Sequence, residues 1–144
     1  MSIGKLTSLA VAVDHALTLG WDDGRSATVD LLAIIAARKP LAALADPAEF
    51  ERARLAEDGW SVEWPSGIDF GASQLRRWAD EQTGEAMRPA AFRTWIESHA
   101  FTLDRAAQAL GLSRRTVAYY LSGDQPVPKT VMLATLGYDR RDAA

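Results

Sequence analysis

The spacing of apolar residues changes along this chain, and that change limits the fold more than any other feature. Through residue 84 the apolar residues alternate in short stretches separated by Asp-Gly turns; from Pro89 onward they recur every three or four residues. A period of two marks a half-buried strand and a period of 3.6 an amphipathic helix. The pattern therefore predicts an α+β protein: a small antiparallel β-sheet domain with short helices over residues 1–84, then an all-helical domain over residues 85–144. A chain of 144 residues is long enough for two such small domains.

In the first part, Leu9, Val11 and Val13 alternate with small residues. A second stretch, Ala16 to Trp21, leads into Asp22-Asp23-Gly24-Arg25, where Asp-Gly favours a hairpin turn. Ser26 to Leu31 is the expected return strand, with Ala27, Val29 and Leu31 on one face. Leu31 to Lys39 forms a short helix stopped before Pro40. Asp46 caps another helix, with Pro47 in its first turn and Phe50 inside it. The stretch RARLAEDGWSVEW reads as a second hairpin turning at Glu57-Asp58-Gly59, with Trp60, Val62 and Trp64 on one face. Pro65 ends that strand, Ile68 and Phe70 plug the core, Asp69 can cap a helix beginning near Gly71 or Ala72, and Ser73 to Glu81 is helical, carrying Leu75, Trp78 and Ala79. The five tryptophans (21, 60, 64, 78 and 95) read as core filling, with Trp21 open to an interface role. Asp80 to Ala90, with Gly84 and Pro89, is the expected linker.

Composition removes several functions. Without cysteine there is no disulfide, thiolate zinc site or cysteine nucleophile. His15 and His99 lie far apart and make no metal-ligand spacing. No Ser/His/Asp set, metal cluster or phosphate-cradling glycine loop occurs, so no catalysis, cofactor or metal is expected. The longest apolar run, Leu31 to Ala37, is too short to cross a bilayer. The stretch LTSLAVAV after Lys5 is too short for a signal peptide and meets Asp14 at once, which predicts a cytoplasmic protein with no membrane contact. The net charge of −3 is uneven: residues 1–84 hold 8 Lys/Arg against 13 Asp/Glu, and residues 85–144 hold 8 against 6. An acidic part joined to a mildly basic one suggests two units with different partners.

The segment TLDRAAQALGLSRRTVAYYLSG, Thr102 to Gly123, carries the functional signal. Thr102 can cap a helix that buries Leu103, Ala106, Ala107 and Leu110. Gly111 can end it in the left-handed conformation, and Ser113 can cap the next helix. Val117, Tyr120 and Leu121 then face the first helix, and Arg114, Arg115, Ala118 and Tyr119 point outward. Val131, Leu133, Ala134 and Leu136 supply the apolar face of a final helix. Ala107, Gly111 and Val117 match the helix-turn-helix signature. The window from Phe92 to Tyr138 resembles the lambda-repressor-like Xre family, with a Ser122-Gly123 stop, a loop holding Pro126 and Pro128, and a helix ending in Leu136-Gly137.

That resemblance implies DNA binding, with the second helix of the motif entering the major groove by its N-terminal end. Arg114 and Arg115 would reach base edges or phosphate, an arginine fork suiting guanine. Thr116 and Tyr119 would support them, and Ala118 would allow close approach or meet a thymine methyl. Ser113, Gln108, Ser122 and Lys129 suit phosphate. Two arginines at a helix start oppose the helix dipole slightly, which favours an anionic partner.

The first part carries Asp23-Gly24-Arg25, Asp30-Leu31 and W-P-S-G-I-D-F, with Trp64, Gly67 and Asp69. These resemble a small bacterial domain of unknown function, some members of which are described as antitoxins encoded beside a small toxin. The motif residues themselves look structural. The expected function is sequence-specific DNA binding in transcription regulation by a homodimer, the first domain supplying dimerisation or a partner surface. The alternatives are an antitoxin that neutralises a cognate toxin by direct contact, with or without repression of its operon, and an interaction module that never touches DNA.

Overall fold

A computed structural model describes residues 4–143; residues 1–3 and 144, the outer ends of the two expected domains, lie outside the described residues. The chain is mixed α/β, with small antiparallel sheets and several helices, and it divides into two compact units, Met1–Gln82 and Thr83–Ala144.

In the first unit β1 (Leu6–Ala12), β2 (Ala16–Trp21) and β3 (Ser26–Asp30) form an antiparallel sheet with β2 in the middle. Val11 pairs with Leu17 and Leu17 with Val29, and Leu17, Leu19 and Val29 are buried on the face that meets the core. The β1–β2 turn uses Asp14 and His15, each at φ 60°. Nothing in the sequence marked this turn, because neither residue is glycine; Asp and His tolerate the left-handed region better than most. At the β2–β3 turn Trp21 N–H donates to Arg25 O at 2.8 Å.

The Leu31–Lys39 helix is shorter than expected. Only α1 (Leu32–Ala36) forms, and its first amide is taken by the Asp30 carboxylate at 3.0 Å. Pro40 does not simply stop a helix. It sits in the first turn of a 3-10 helix (Lys39–Ala45), where a missing N–H costs nothing. Asp46 caps α2 (Pro47–Phe50), accepting from Ala48 N–H at 3.0 Å.

The second sheet contains β4 (Arg54–Leu55), β5 (Ser61–Glu63) and β6 (Asp69–Gly71). Two expectations fail here. Trp60 is 41% exposed while Val62 and Trp64 are buried, because β5 begins only at Ser61 and Trp60 still belongs to the turn. Asp69 caps no helix; it pairs with Glu63 in β6, and α3 (Ala72–Thr83) starts three residues later. Gly59 permits a close approach: at φ 79° it brings its backbone against β1, and a Cβ there would meet Leu6 O at 2.8 Å.

The Asp-Gly-Arg turn is bound to α3. Arg76 Nη2 donates to Asp23 at 2.9 Å, and Arg25 pairs with Asp80, so the Asp-Gly-Arg turn grips the helix at two points. The Arg76 guanidinium lies 5.1 Å from the centre of the Trp21 ring, and Trp21 Nε1–H donates to Ala72 O. Trp21 is thus core, 2% exposed, and not an interface residue. The Asp23 carboxyl is held below the usual range, first by the Arg76 hydrogen bond and then by the Arg25 amide. In W-P-S-G-I-D-F, Trp64 Nε1–H donates to Phe50 O at 3.0 Å and Ser66 N–H to Glu49, which fixes this loop on α2.

The second unit contains α4 (Pro89–Ser98), α5 (Leu103–Leu110), α6 (Arg114–Ser122) and α7 (Lys129–Ala143), packed around Phe92, Trp95, Ala106, Val117, Tyr120 and Val131. It is not wholly helical. β7 (Ala86–Met87) pairs with β8 (Val127–Pro128), so Pro128 lies in a ladder and not only in a loop. The Asp80–Ala90 linker is correspondingly short, since α3 runs to Thr83 and β7 begins at Ala86. The last helix also differs. Val131 and Thr135 face the core, while Leu133 and Leu136 are 52% and 59% exposed and Ala134 is exposed too. It does not end at Leu136-Gly137 but continues to Ala143. Residue 135 occupies the i+4 position that a core stripe requires, and its hydroxyl is satisfied by Met132 O at 2.6 Å. Asp139 accepts hydrogen bonds from Trp95 Nε1 at 2.8 Å and His99 Nε2 at 2.7 Å, and these, in that order, hold its carboxyl below the usual range.

Candidate functional site

The segment singled out by sequence forms two helices separated only by Gly111, Leu112 and Ser113. Thr102 caps α5 by accepting from Arg105 N–H at 3.1 Å. Gly111 ends it at φ 71° and ψ 31°, and Leu112 N–H returns to Ala107 O at 2.9 Å. A left-handed residue with this return bond satisfies the last carbonyls of a helix and turns the chain sharply. Ser113 opens α6, its Oγ accepting from Thr116 N–H at 3.0 Å and lying 2.8 Å from the Thr116 hydroxyl. Buried Ala106 and Ala107 on α5, and Val117 and Tyr120 on α6, join the same core.

Arg114 and Arg115 are exposed on the first turn of α6. Neither is without local company. Arg115 Nε donates to the Tyr119 hydroxyl at 2.6 Å, with its guanidinium 5.3 Å from that ring centre. Arg114 Nε lies 3.8 Å from Asp104 Oδ1. These contacts offset the unfavourable dipole, so that dipole alone does not call for an anionic partner. The Arg114–Asp104 pair is open to solvent and contributes about 0–1 kcal/mol, so an incoming phosphate or base can displace it. Thr116, Ala118 and Tyr119 are half-buried on α6.

The other expected residues are more dispersed. Ser122 ends α6, its hydroxyl donating to Tyr119 O and accepting from Asp124 N–H, so it is engaged as a local cap. Lys129 begins α7, with Nζ 3.4 Å from Glu85 Oε1. Gln108 lines a cleft of about 380 Å³ between α5 and α7, together with Arg105, Ala109, Tyr138, Arg141 and Asp142. The structure thus groups Ser113, Arg114, Arg115, Thr116, Ala118 and Tyr119 on α6 and sets Gln108 with a different group. Sequence reasoning missed Asp104 and Glu85 as partners of the key cations. It also missed Arg105, which the i, i+3 spacing to Gln108 places on the same helix face. Arg93, also missed, reaches from α4 to Leu121 O at 3.4 Å, near the end of α6.

Among the described residues no group of three or more His, Asp or Glu is arranged to hold a metal ion, and no helix is long and apolar enough to cross a membrane.

A family model described as a protein of unknown function, DUF2442, matches residues 7–81, slightly more than half of the chain. The chain belongs to the DUF2442 family. The DUF2442 match runs from β1 into α3 and so includes the Asp-Gly-Arg turn and the W-P-S-G-I-D-F loop, but not α5 or α6. No curated protein matches the chain. A solved structure from Nitrosomonas europaea, described as a "putative DNA binding protein", is similar over both units of this DUF2442 protein. It is 36% identical, the match covers 94% of this chain and 86% of that one, and the TM-score is 0.57.

Proposed function

We propose that the chain is a DNA-binding transcription regulator in which α5 and α6 form a lambda-repressor-like helix-turn-helix and α6 enters the major groove. The observation that carries this reading is the start of α6. A capped helix end, set by the left-handed Gly111, presents Arg114 and Arg115 to solvent on one exposed turn. The arginines would read base edges or grip phosphate, and Ser113 with its helix-start amides would hold a phosphate. Thr116, Ala118 and Tyr119 line the same helix, Lys129 and Ser122 would flank the groove, and Gln108, on α5 before the turn, would meet phosphate. The likeness to a protein described as DNA-binding supports the same direction. In this reading the chain acts in the cytoplasm, as a homodimer on two half-sites, without catalysis or cofactor.

The test is selection of duplex DNA from a random pool by the full-length protein, followed by affinity measurement on any enriched site. Enrichment of a defined sequence is the expected result. If no sequence is enriched, the helix pair is a docking surface, and neutralisation of a protein partner such as a toxin takes first place.

A further inference from the structure

The sheet β1-β2-β3 treats its two edges differently. On β3, the outward N–H and C=O of Asp30 are both taken by the Gln82 side chain, each at 2.8 Å. On β1 the start is covered, where Leu6 N–H donates to Gly59 O at 2.8 Å. At the other end Val11, Ala12 and Val13 line a pocket with Pro47 and Phe50 of α2 and with Glu51, which leaves the outward peptide groups without a backbone partner among the described residues. Asp22 N–H donates to Lys5 O and Leu31 N–H to His15 O, so the even-numbered residues of β2 bond toward β1. Their partners are Ser8, Ala10 and Ala12. The peptide groups of Leu9 and Val11 therefore point away from the sheet, and among the described residues neither has a backbone partner there.

The strand itself lacks most devices that blunt an edge. Leu6–Ala12 holds no charge and no proline, and its one irregularity lies between Leu6 and Ser8. Val11 and Val13 are 36% and 84% exposed beside it. The charges stand at the two ends, Lys5 before the strand and Asp14 after it. An antiparallel copy of the same strand reverses that order and brings each Lys5 beside the other copy's Asp14. Self-pairing is thus complementary in charge as well as in backbone, which a second copy satisfies without any further partner.

We propose that β1 pairs antiparallel with β1 of a second copy, Leu9 of each exchanging both backbone hydrogen bonds with Val11 of the other, to give a continuous six-stranded sheet. This contact is independent of DNA reading by α6. Sedimentation of the full-length protein is expected to show a dimer. Val11→Pro deletes an N–H that β2 does not use, and Val11→Lys places a charge at the new seam; each is expected to give a monomer. Thermal melting shows whether each variant is folded, and if the proline variant is not, the lysine variant carries the test. Amide exchange at Leu9 and Val11 is expected to slow as protein concentration rises through dimer formation. A monomeric wild type overturns the proposal. So does a dimer that survives Val11→Lys, or one in which the Leu9 and Val11 amides exchange as fast as in the dilute monomer.

Discussion

One chemical change, exchange of glycine and alanine, is expected to have opposite signs at three positions of the second unit. Gly111 sits at φ 71°, and a Cβ added there would have nothing within 4 Å, so Gly111→Ala meets no clash and costs only backbone strain. That strain is about 1–2 kcal/mol for an L-residue. The lower entropy of the unfolded alanine chain returns about 0.4–1 kcal/mol, leaving a net loss of about 1 kcal/mol. Ala100 is the reverse case. It already holds φ 55° just past α4, with its N–H on Glu97 O at 3.0 Å, so Ala100→Gly relieves the strain and gains about 0.5–1 kcal/mol. Gly137 lies inside α7, exposed and at ordinary helical φ, so Gly137→Ala gains about 0.5–1 kcal/mol. For a unit this small each kcal/mol moves the melting temperature by about 4–8 °C. Thermal and denaturant unfolding of the three variants measures the set. If Gly111→Ala is neutral or stabilising, the left-handed turn between α5 and α6 is not as described. If Gly137→Ala destabilises, α7 does not continue past residue 137.

Two further substitutions test the core and its acid response. Phe92 is fully buried, and Phe92→Ala is expected to cost about 3–5 kcal/mol in denaturant unfolding; a loss below about 1 kcal/mol would contradict its place in the core. The lowered carboxyl of Asp139 contributes stability above the unfolded value of about 4, and that contribution disappears as pH falls through the lower folded value. Asp139→Asn is therefore expected to flatten the acid side of the stability curve, read by thermal melts from neutral pH downward; an unchanged acid side would show that the Trp95 and His99 bonds do not hold the carboxylate.

The parts of the structure that depend on near neighbours in sequence were legible. The Asp22–Arg25 turn, the Asp46 and Ser113 caps and the left-handed Gly111 each follow from one or two residues. Register was less legible. Trp60 fits the alternation of Val62 and Trp64, yet the strand begins one residue after it. On α7 the eye follows Leu133 and Leu136, but packing selects Val131 and Thr135, and a core threonine whose hydroxyl is satisfied within its own helix gives no apolar signal. The candidate site shows the same division. The exposed arginines and their cap could be placed from the pattern, whereas Asp104 beside Arg114 and Glu85 beside Lys129 are set by folding. Gln108 looked equivalent to Lys129 in sequence but faces the cleft with Arg105 and Arg141.

The central claim, that α6 reads bases through its first turn, is tested most directly by comparing Arg115→Ala with Lys129→Ala on a selected DNA site at several salt concentrations. If Arg115 grips a guanine, its loss is expected to cost about 1–3 kcal/mol and to relax preference at one base position. Loss of Lys129, which in this account meets only phosphate, is expected to weaken all sequences alike and reduce the salt slope by about one unit. Arg115→Ala and Arg114→Ala that both leave affinity and base preference unchanged would contradict the claim.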